Sequence, residues 1–139
     1  MNGNIRELII SVTNTNLVLH SLLLHFICYA DTIIVDETAF SGDIPRLPEN
    51  LTNFDASFAF FSGGLVDANF EGINSLNFVD LDGNAFNTTV PTVFGRLPNL
   101  QFLYLSDAFL SGDLSYMAGM PGTFNKHDSS FVCPINRLT

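Results

Sequence analysis

Positive charge is scarce in this chain: 5 basic residues stand against 14 acidic ones, for a net charge of −9. Such a chain repels phosphates, which excludes nucleic acid as a partner and disfavours direct docking on an anionic membrane. Charge of either sign is sparse. Charged residues are 14 % of the chain, below the roughly 25 % of an average soluble domain, so Asn, Ser, Thr and Gly must supply the polar surface. Tryptophan is absent, and 2 cysteines make neither a disulfide-rich scaffold nor a four-ligand zinc site. No apolar run reaches the ~20 residues of a transmembrane helix. The longest, Leu17 to Ala30 (LVLHSLLLHFICYA), is interrupted by His20 and His25. What remains is 139 residues, 47 % apolar and with 14 phenylalanines. That is one domain's worth of chain, too apolar for disorder.

Catalytic residue sets are also lacking. His20 and His25 fall in the apolar run. His127 stands beside Asp128, but no Ser or Cys has a spacing that implies contact with it, and Cys133 is remote in sequence. A nucleophile, base and orienting group would need that contact. Gly63-Gly64 closes a turn and forms no phosphate loop after a strand. No His/Cys cluster has metal-ligand spacing. The residues disfavour an enzyme and call for no metal and no cofactor.

A repeated phrase is what the chain does have. Phe40-Ser41-Gly42-Asp43-Ile44-Pro45 recurs as Phe61-Ser62-Gly63-Gly64-Leu65, Phe86-Asn87-Thr88-Thr89-Val90-Pro91 and Leu110-Ser111-Gly112-Asp113-Leu114, and in degenerate form as Phe131-Val132-Cys133-Pro134-Ile135. Upstream of the four full copies lie the apolar pairs Ile33/Val35, Phe54/Ala56, Val79/Leu81 and Leu103/Leu105. Three residues before each pair stands Ala30, Leu51, Leu76 or Leu100. The copies therefore begin at Ala30, Leu51, Leu76, Leu100 and Pro121, with lengths of 21, 25, 24 and 21 and a short last piece. FVDLD alternates, so Val79 and Leu81 face one way and Asp80 and Asp82 the other. One copy cannot bury its apolar edge alone, whereas stacked copies share a continuous core.

The clearest copy, Leu76 to Asn99 (LNFVDLDGNAFNTTVPTVFGRLPN), fits LxxLxLxxNxLxGxIPxxLxxLxx with Thr88 in place of the Gly. It resembles the plant-type leucine-rich repeat, and the resemblance covers roughly residues 30 to 139. It implies an α/β-type solenoid, a right-handed superhelix with one parallel strand per repeat and irregular or 3-10 convex segments. Strands are expected to centre on Ile34, Asp55, Asp80, Tyr104 and Asn125. The repeat's Asn can bond backbone of the adjacent turn, but the other copies hold Thr38, Ala59, Ala108 and Ser129 there. Thr38, Ser129 or water must then patch the ladder. The copies starting at Ala30 and Leu100 also lack three residues of connecting segment after Ile44 and Leu114.

Residues 1–30 admit two readings. Leu17 to Ala30 suits the apolar part of a signal peptide, with Cys28-Tyr29-Ala30 offering a small residue for cleavage, although Arg6 is followed by Glu7. Alternatively Ile5, Leu8, Ile10 and Thr13, 25 residues before Ala30, Ile33, Val35 and Thr38, begin an irregular first repeat. Residues 31–139 then form the repeat domain, about four full copies and a degenerate last one. Cys28 and Cys133 fall at opposite ends of such a stack, too far apart to bridge.

The repeat register also defines an open face. One row is Ile34, Asp55, Asp80, Tyr104 and Asn125; a second is Asp36, Ser57, Asp82, Ser106 and His127; a third is Thr32, Asn53, Phe78, Phe102 and Thr123. Asp55, Asp80 and Asp82 thus make an acidic patch flanked by Phe78, Phe102 and Tyr104. Aromatics frequently anchor interfaces, so these six residues are the candidate partner-binding set. Asn50-Leu51-Thr52 and Asn87-Thr88-Thr89 match the N-glycosylation pattern, making Asn50 and Asn87 candidate acceptors.

The resemblance implies an extracellular recognition module akin to receptor ectodomains and wall-enzyme inhibitors, holding a protein or peptide on its concave face. The acidity of that face points to a basic partner, with membrane attachment only through a larger receptor or complex. The alternatives are a cytoplasmic scaffold or adaptor and a piece of a larger receptor-like chain. Leu81→Ala, in the middle of the array, is expected to cost about 2–5 kcal/mol of stability. Asp82→Ala, on the open face, is expected to change it by less than about 0.5 kcal/mol. Equal losses in urea titrations would show the facing assignment to be wrong.

Overall fold

A computed structural model describes residues 6–9, 29–112 and 115. Five short strands form one parallel sheet: β1 (Glu7–Ile9), β2 (Thr32–Ile34), β4 (Asn53–Asp55), β6 (Phe78–Asp80) and β7 (Phe102–Tyr104), adjacent in that order. Two-residue strands β3 (Ser41–Gly42) and β5 (Phe60–Phe61) pair in a second sheet. The register is that of the sequence repeat. Ile33 pairs with Phe54, Phe54 with Val79 and Val79 with Leu103. At the sheet edge Leu8 pairs with Ile33.

Ile34, Asp55, Asp80 and Tyr104 end their strands rather than centre them. The parallel bonding nevertheless runs one residue further, with the Val35, Ala56 and Leu81 amides donating to the carbonyls of Asp55, Asp80 and Tyr104 at 2.7–3.0 Å. Asn125, Ile5, Ile10, Thr13, Ser129, the histidines and the cysteines lie outside the described residues.

Alternation explains the core. Ile33, Val35, Phe54, Val79, Leu81, Leu103 and Leu105 are all buried, as are the leading Ala30, Leu51, Leu76 and Leu100. Phenylalanine supplies the bulk behind the sheet. Phe54 meets Phe70 edge-on at 6.4 Å between centroids, and Phe70 meets Phe94 at 4.8 Å. Phe54 and Phe70 belong to one copy and Phe94 to the following one, so the Phe70–Phe94 contact ties the two together. The connecting segments follow copy length. The 25-residue copy forms a helical turn, α1 (Asp67–Phe70), and the 24-residue copy a 3-10 helix (Thr92–Arg96). No helix is assigned in the shorter copy after Ile44.

Buried backbone must be hydrogen-bonded, and the chain solves this with bonds between copies. Asn84, almost fully buried, donates to the carbonyls of Ala56 (2.8 Å), Leu81 (3.0 Å) and Asp82 (3.2 Å) and accepts from the Phe61 amide (3.1 Å). It thereby serves the preceding copy, whose own ladder position is Ala59. Thr38 donates to the Val35 carbonyl at 2.7 Å within its own copy, so this bond does not take up the between-copy role expected of its hydroxyl.

A second ladder runs along the residue just before each leading Leu. Asn50 donates to the carbonyls of Tyr29 and Ala30, Ser75 to those of Glu49 and Leu51, and Asn99 to that of Asn74. A third device lies behind the sheet: the Asn69 amide donates to the Ile44 carbonyl at 2.7 Å while its oxygen accepts from the Val66 amide.

The turn after each of β2, β4, β6 and β7 is left-handed at one repeat position, with φ of 50° at Glu37, 50° at Phe58, 66° at Gly83 and 52° at Asp107. Only Gly83 adopts this freely. It is also required there by packing, because a Cβ would lie 2.5 Å from Cδ1 of the Phe58 ring. Gly83→Ala is therefore expected to cost about 1–2 kcal/mol for the dihedral, plus whatever displacing the ring adds. In a Phe58→Ala background the dihedral part alone should remain. A double-mutant cycle by urea denaturation checks this, and identical costs in both backgrounds would show that the ring does not restrain the turn.

Candidate functional site

In-register pairing brings the candidate residues onto one face. Asp55 and Asp80 are direct cross-strand partners, as are Asp80 and Tyr104, and Phe78 and Phe102. The Phe78 ring lies 5.5 Å from that of Tyr104 and 6.2 Å from that of Phe102, tilted at 45° in both cases. These aromatics are less open than the sequence implied. Phe102 is exposed, whereas Phe78 and Tyr104 are half-buried because the rings cover one another. A cluster of this kind presents a preformed apolar plate beside the acids.

The carboxylates are not free side chains. Oδ1 of Asp55 accepts from the Ser57 amide (3.0 Å) and hydroxyl (2.8 Å), and Oδ1 of Asp80 accepts from the Asp82 amide at 3.0 Å. Oδ1 of Asp82 accepts from the amide of Ser106 in the next copy. Short Asp side chains suit this work because they reach backbone two residues on. The near-neutral expectation for Asp82→Ala is therefore corrected. Removing the acceptor leaves the half-buried Ser106 amide without that partner, a loss of about 1–2 kcal/mol.

Close acids raise one another's pKa. Burial pushes the Asp80 carboxyl up to about 6; the hydrogen bond from Asp82 opposes the rise, and the charges of Asp82, Asp55 and Asp36 add to it. Burial also raises Asp82, against its bond from Ser106 and with the charges of Asp107 and Asp55. No cation answers them among the described residues. Arg46 pairs with Glu49, and Arg96 with Asp67 behind the sheet. At Asp67 burial works upward, but the Val93 amide, the Thr92 hydroxyl and Arg96 together outweigh it and hold the carboxyl below its usual range.

Asn50 and Asn87 are both exposed, but they differ in surroundings. The Asn50 amide nitrogen is engaged in the second ladder, whereas no hydrogen bond is formed by the Asn87 side chain among the described residues. Among those residues no group of three or more His, Cys, Asp or Glu is placed to hold a metal ion, and no helix is long and apolar enough to cross a membrane.

Sequence reasoning missed the flank beside this face. Phe58, Phe60 and Phe109 are 62, 67 and 61 % exposed, and Phe58 and Phe109 have left-handed backbones. The signal was available: Phe58 occupies the repeat position that Gly83 holds one copy later.

Among solved structures, the chain is similar to that of a pollen receptor kinase 3, with a TM-score of 0.64 and 26 % identity over 76 % of this chain and 53 % of the other. The fold is leucine-rich-repeat-like. The present chain spans about half the length of that structure. No protein-family model and no curated protein matches the chain.

The raised pKa at Asp80 has a definite sign for stability. Its unfolded value is near 3.8 and its folded value about 6, so between these pH values the folded chain binds more protons and is stabilised as pH falls. Asp82 acts in the same sense. Asp67 acts oppositely, but only at lower pH, because its folded value is depressed. Thermal melts should therefore show a higher Tm at pH 5 than at pH 7. Asp80→Asn should raise the pH 7 value and shrink the difference. An unchanged pH dependence in that variant would remove Asp80 as its source.

Proposed function

We propose that this chain is a short leucine-rich-repeat solenoid of plant receptor type that recognises a basic protein or peptide on its strand face. The observation that carries the reading is the row-by-row alignment of Asp55, Asp80, Asp82, Phe78, Phe102 and Tyr104 on one side of the parallel sheet. Uncompensated carboxylates there steer a cationic partner. The aromatic plate supplies desolvated contact area, which exposed charges alone supply poorly. The likeness to a receptor supports recognition as the role and a secreted or cell-surface location. Fold likeness does not name the ligand; the site's chemistry does so only by class.

A second reading, an intracellular scaffold or adaptor, draws support from β1. Glu7–Ile9 pairs with β2 in the repeat register, which favours residues 1–30 as an irregular first repeat over a cleaved leader. N-terminal sequencing of the protein from its own source separates the two. A start near Asp31 selects the secreted form, and an intact start removes cleavage at that point.

The binding face has its own test. Immobilised wild-type protein and an Asp80→Asn, Tyr104→Ala double variant are used as baits, and any protein retained by the first is followed by surface plasmon resonance. Asp80→Asn should mainly slow association at low salt, and Tyr104→Ala should mainly speed dissociation. If both baits retain the same proteins in the same amounts, the strand face is not the site.

A further inference from the structure

The two N-glycosylation motifs are alike in sequence and different in use. Asn50 stands in the second ladder, at the position also held by Ser75 and Asn99. Its Nδ2 donates to the carbonyls of Tyr29 (3.3 Å), the residue just before its own copy, and Ala30 (3.2 Å), the first residue of that copy. Ser75 and Asn99 bond preceding-copy carbonyls in the same way. The recurrence makes Asn50 part of how copies are joined. Asn87 has no counterpart to this. It is exposed, follows the buried Phe86, and its backbone sits at a φ of 49°, a conformation Asn tolerates better than most residues.

We propose that Asn87 is the N-linked glycan acceptor of this chain and that Asn50 stays unmodified in the folded protein. The inference rests on the extracellular reading, since only a secreted chain meets the modifying enzyme. In the reaction, Asn Nδ2 attacks the anomeric carbon of an oligosaccharide diphosphate donor. A C–N bond forms, the C–O bond to the diphosphate breaks, and Nδ2 gives up one proton. The nitrogen keeps a single N–H. At Asn87 this costs nothing among the described residues, where neither N–H is used. At Asn50 one N–H is left for two carbonyls, and the sugar must occupy the space against the residues it joins. Asn87 lies on the run between β6 and the 3-10 helix, outside the five-stranded sheet whose face carries Asp80 and Tyr104. A glycan there leaves the strand face open for a partner.

The test routes the full chain through a secretory host behind a heterologous signal, so that acceptor choice is read separately from the chain's natural address. Folded, secreted protein is digested with chymotrypsin, which cuts at the phenylalanines between Asn50 and Asn87, and mapped by mass spectrometry. Glycan on the Asn87 peptide with an unmodified Asn50 peptide is the expected result. Glycan on Asn50, on both, or on neither overturns the proposal. Asn87→Gln should abolish the mass increment removed by an amide-cleaving glycosidase. Asn50→Asp, which keeps the size but cannot donate, should lower Tm by roughly 4 °C, and Asn87→Asp should leave it unchanged. Equal melting temperatures for the two Asp variants would show that the Asn50 bonds do not join the copies.

Discussion

Three-residue strands cannot satisfy their own backbone, and the parallel bonding between successive copies is the constraint on which the rest depends. It forces every copy into the register of its neighbours. It also requires each turn to bury polar groups, for which some neighbour must supply partners. The chain distributes that task among residues of quite different type. Asn84 bridges two copies at the front of the core, Asn69 does so behind it, and Asn50, Ser75 and Asn99 reach across the copy boundary before the strands to Tyr29, Glu49 and Asn74. Asp67 supplies the exposed end of the 3-10 helix, taking the Val93 amide and Thr92 hydroxyl from the next copy. Losing any one leaves the others in place, so the array does not hang on the single Asn that fits the consensus.

The same register determines what the open face looks like. Alternation points every second side chain outward, and in-register stacking lines those side chains up without help from any loop. Aspartates at successive positions must then face one another, and their repulsion adds to the burial that raises the Asp80 carboxyl. Their Oδ1 atoms each hold a nearby amide, which explains short acidic residues at these turns. An Asn would accept the same bonds without charge. The negative charge is therefore surplus to the fold, and a surplus that opposes stability at neutral pH is better accounted for by a partner than by packing.

Core positions were legible because a period of two within copies and a near-constant spacing between copies both report on burial. Ile33, Phe54, Val79 and Leu103 could be placed by counting. The rows of Asp55, Asp80 and Tyr104 followed from the same count. The contacts of polar side chains did not. Nothing in the spacing separates Asn50, whose amide is committed, from Asn87, whose amide has no partner among the described residues, since the difference lies in which carbonyls the fold brings near. Nor did alternation reveal that Phe78 and Tyr104 would half-cover each other, or that Asp82 would reach Ser106. The flank was missed for another reason. Phe58, Phe60 and Phe109 stand at positions the repeat pattern leaves unspecified, so a search keyed to the pattern passes over them.

Strain and exposure coincide on that flank. A left-handed phenylalanine costs about 1–2 kcal/mol in its backbone, and leaving its ring in water forgoes the burial that stabilises the others. Phe58 recovers part of this by lying over Gly83, whose missing side chain makes the room. The copies thus compensate one another pairwise. A residue that suits its own turn poorly is tolerated because the next copy has been cut to fit it. This coupling makes the repeats non-interchangeable despite their common pattern. It also explains why the clearest copy, Leu76 to Asn99, has a neighbour on each side in the sheet: its Asn84 and Gly83 each offset a departure in the copy before it. The regularity of one repeat is what permits irregularity, and with it a distinctive surface, in its neighbour.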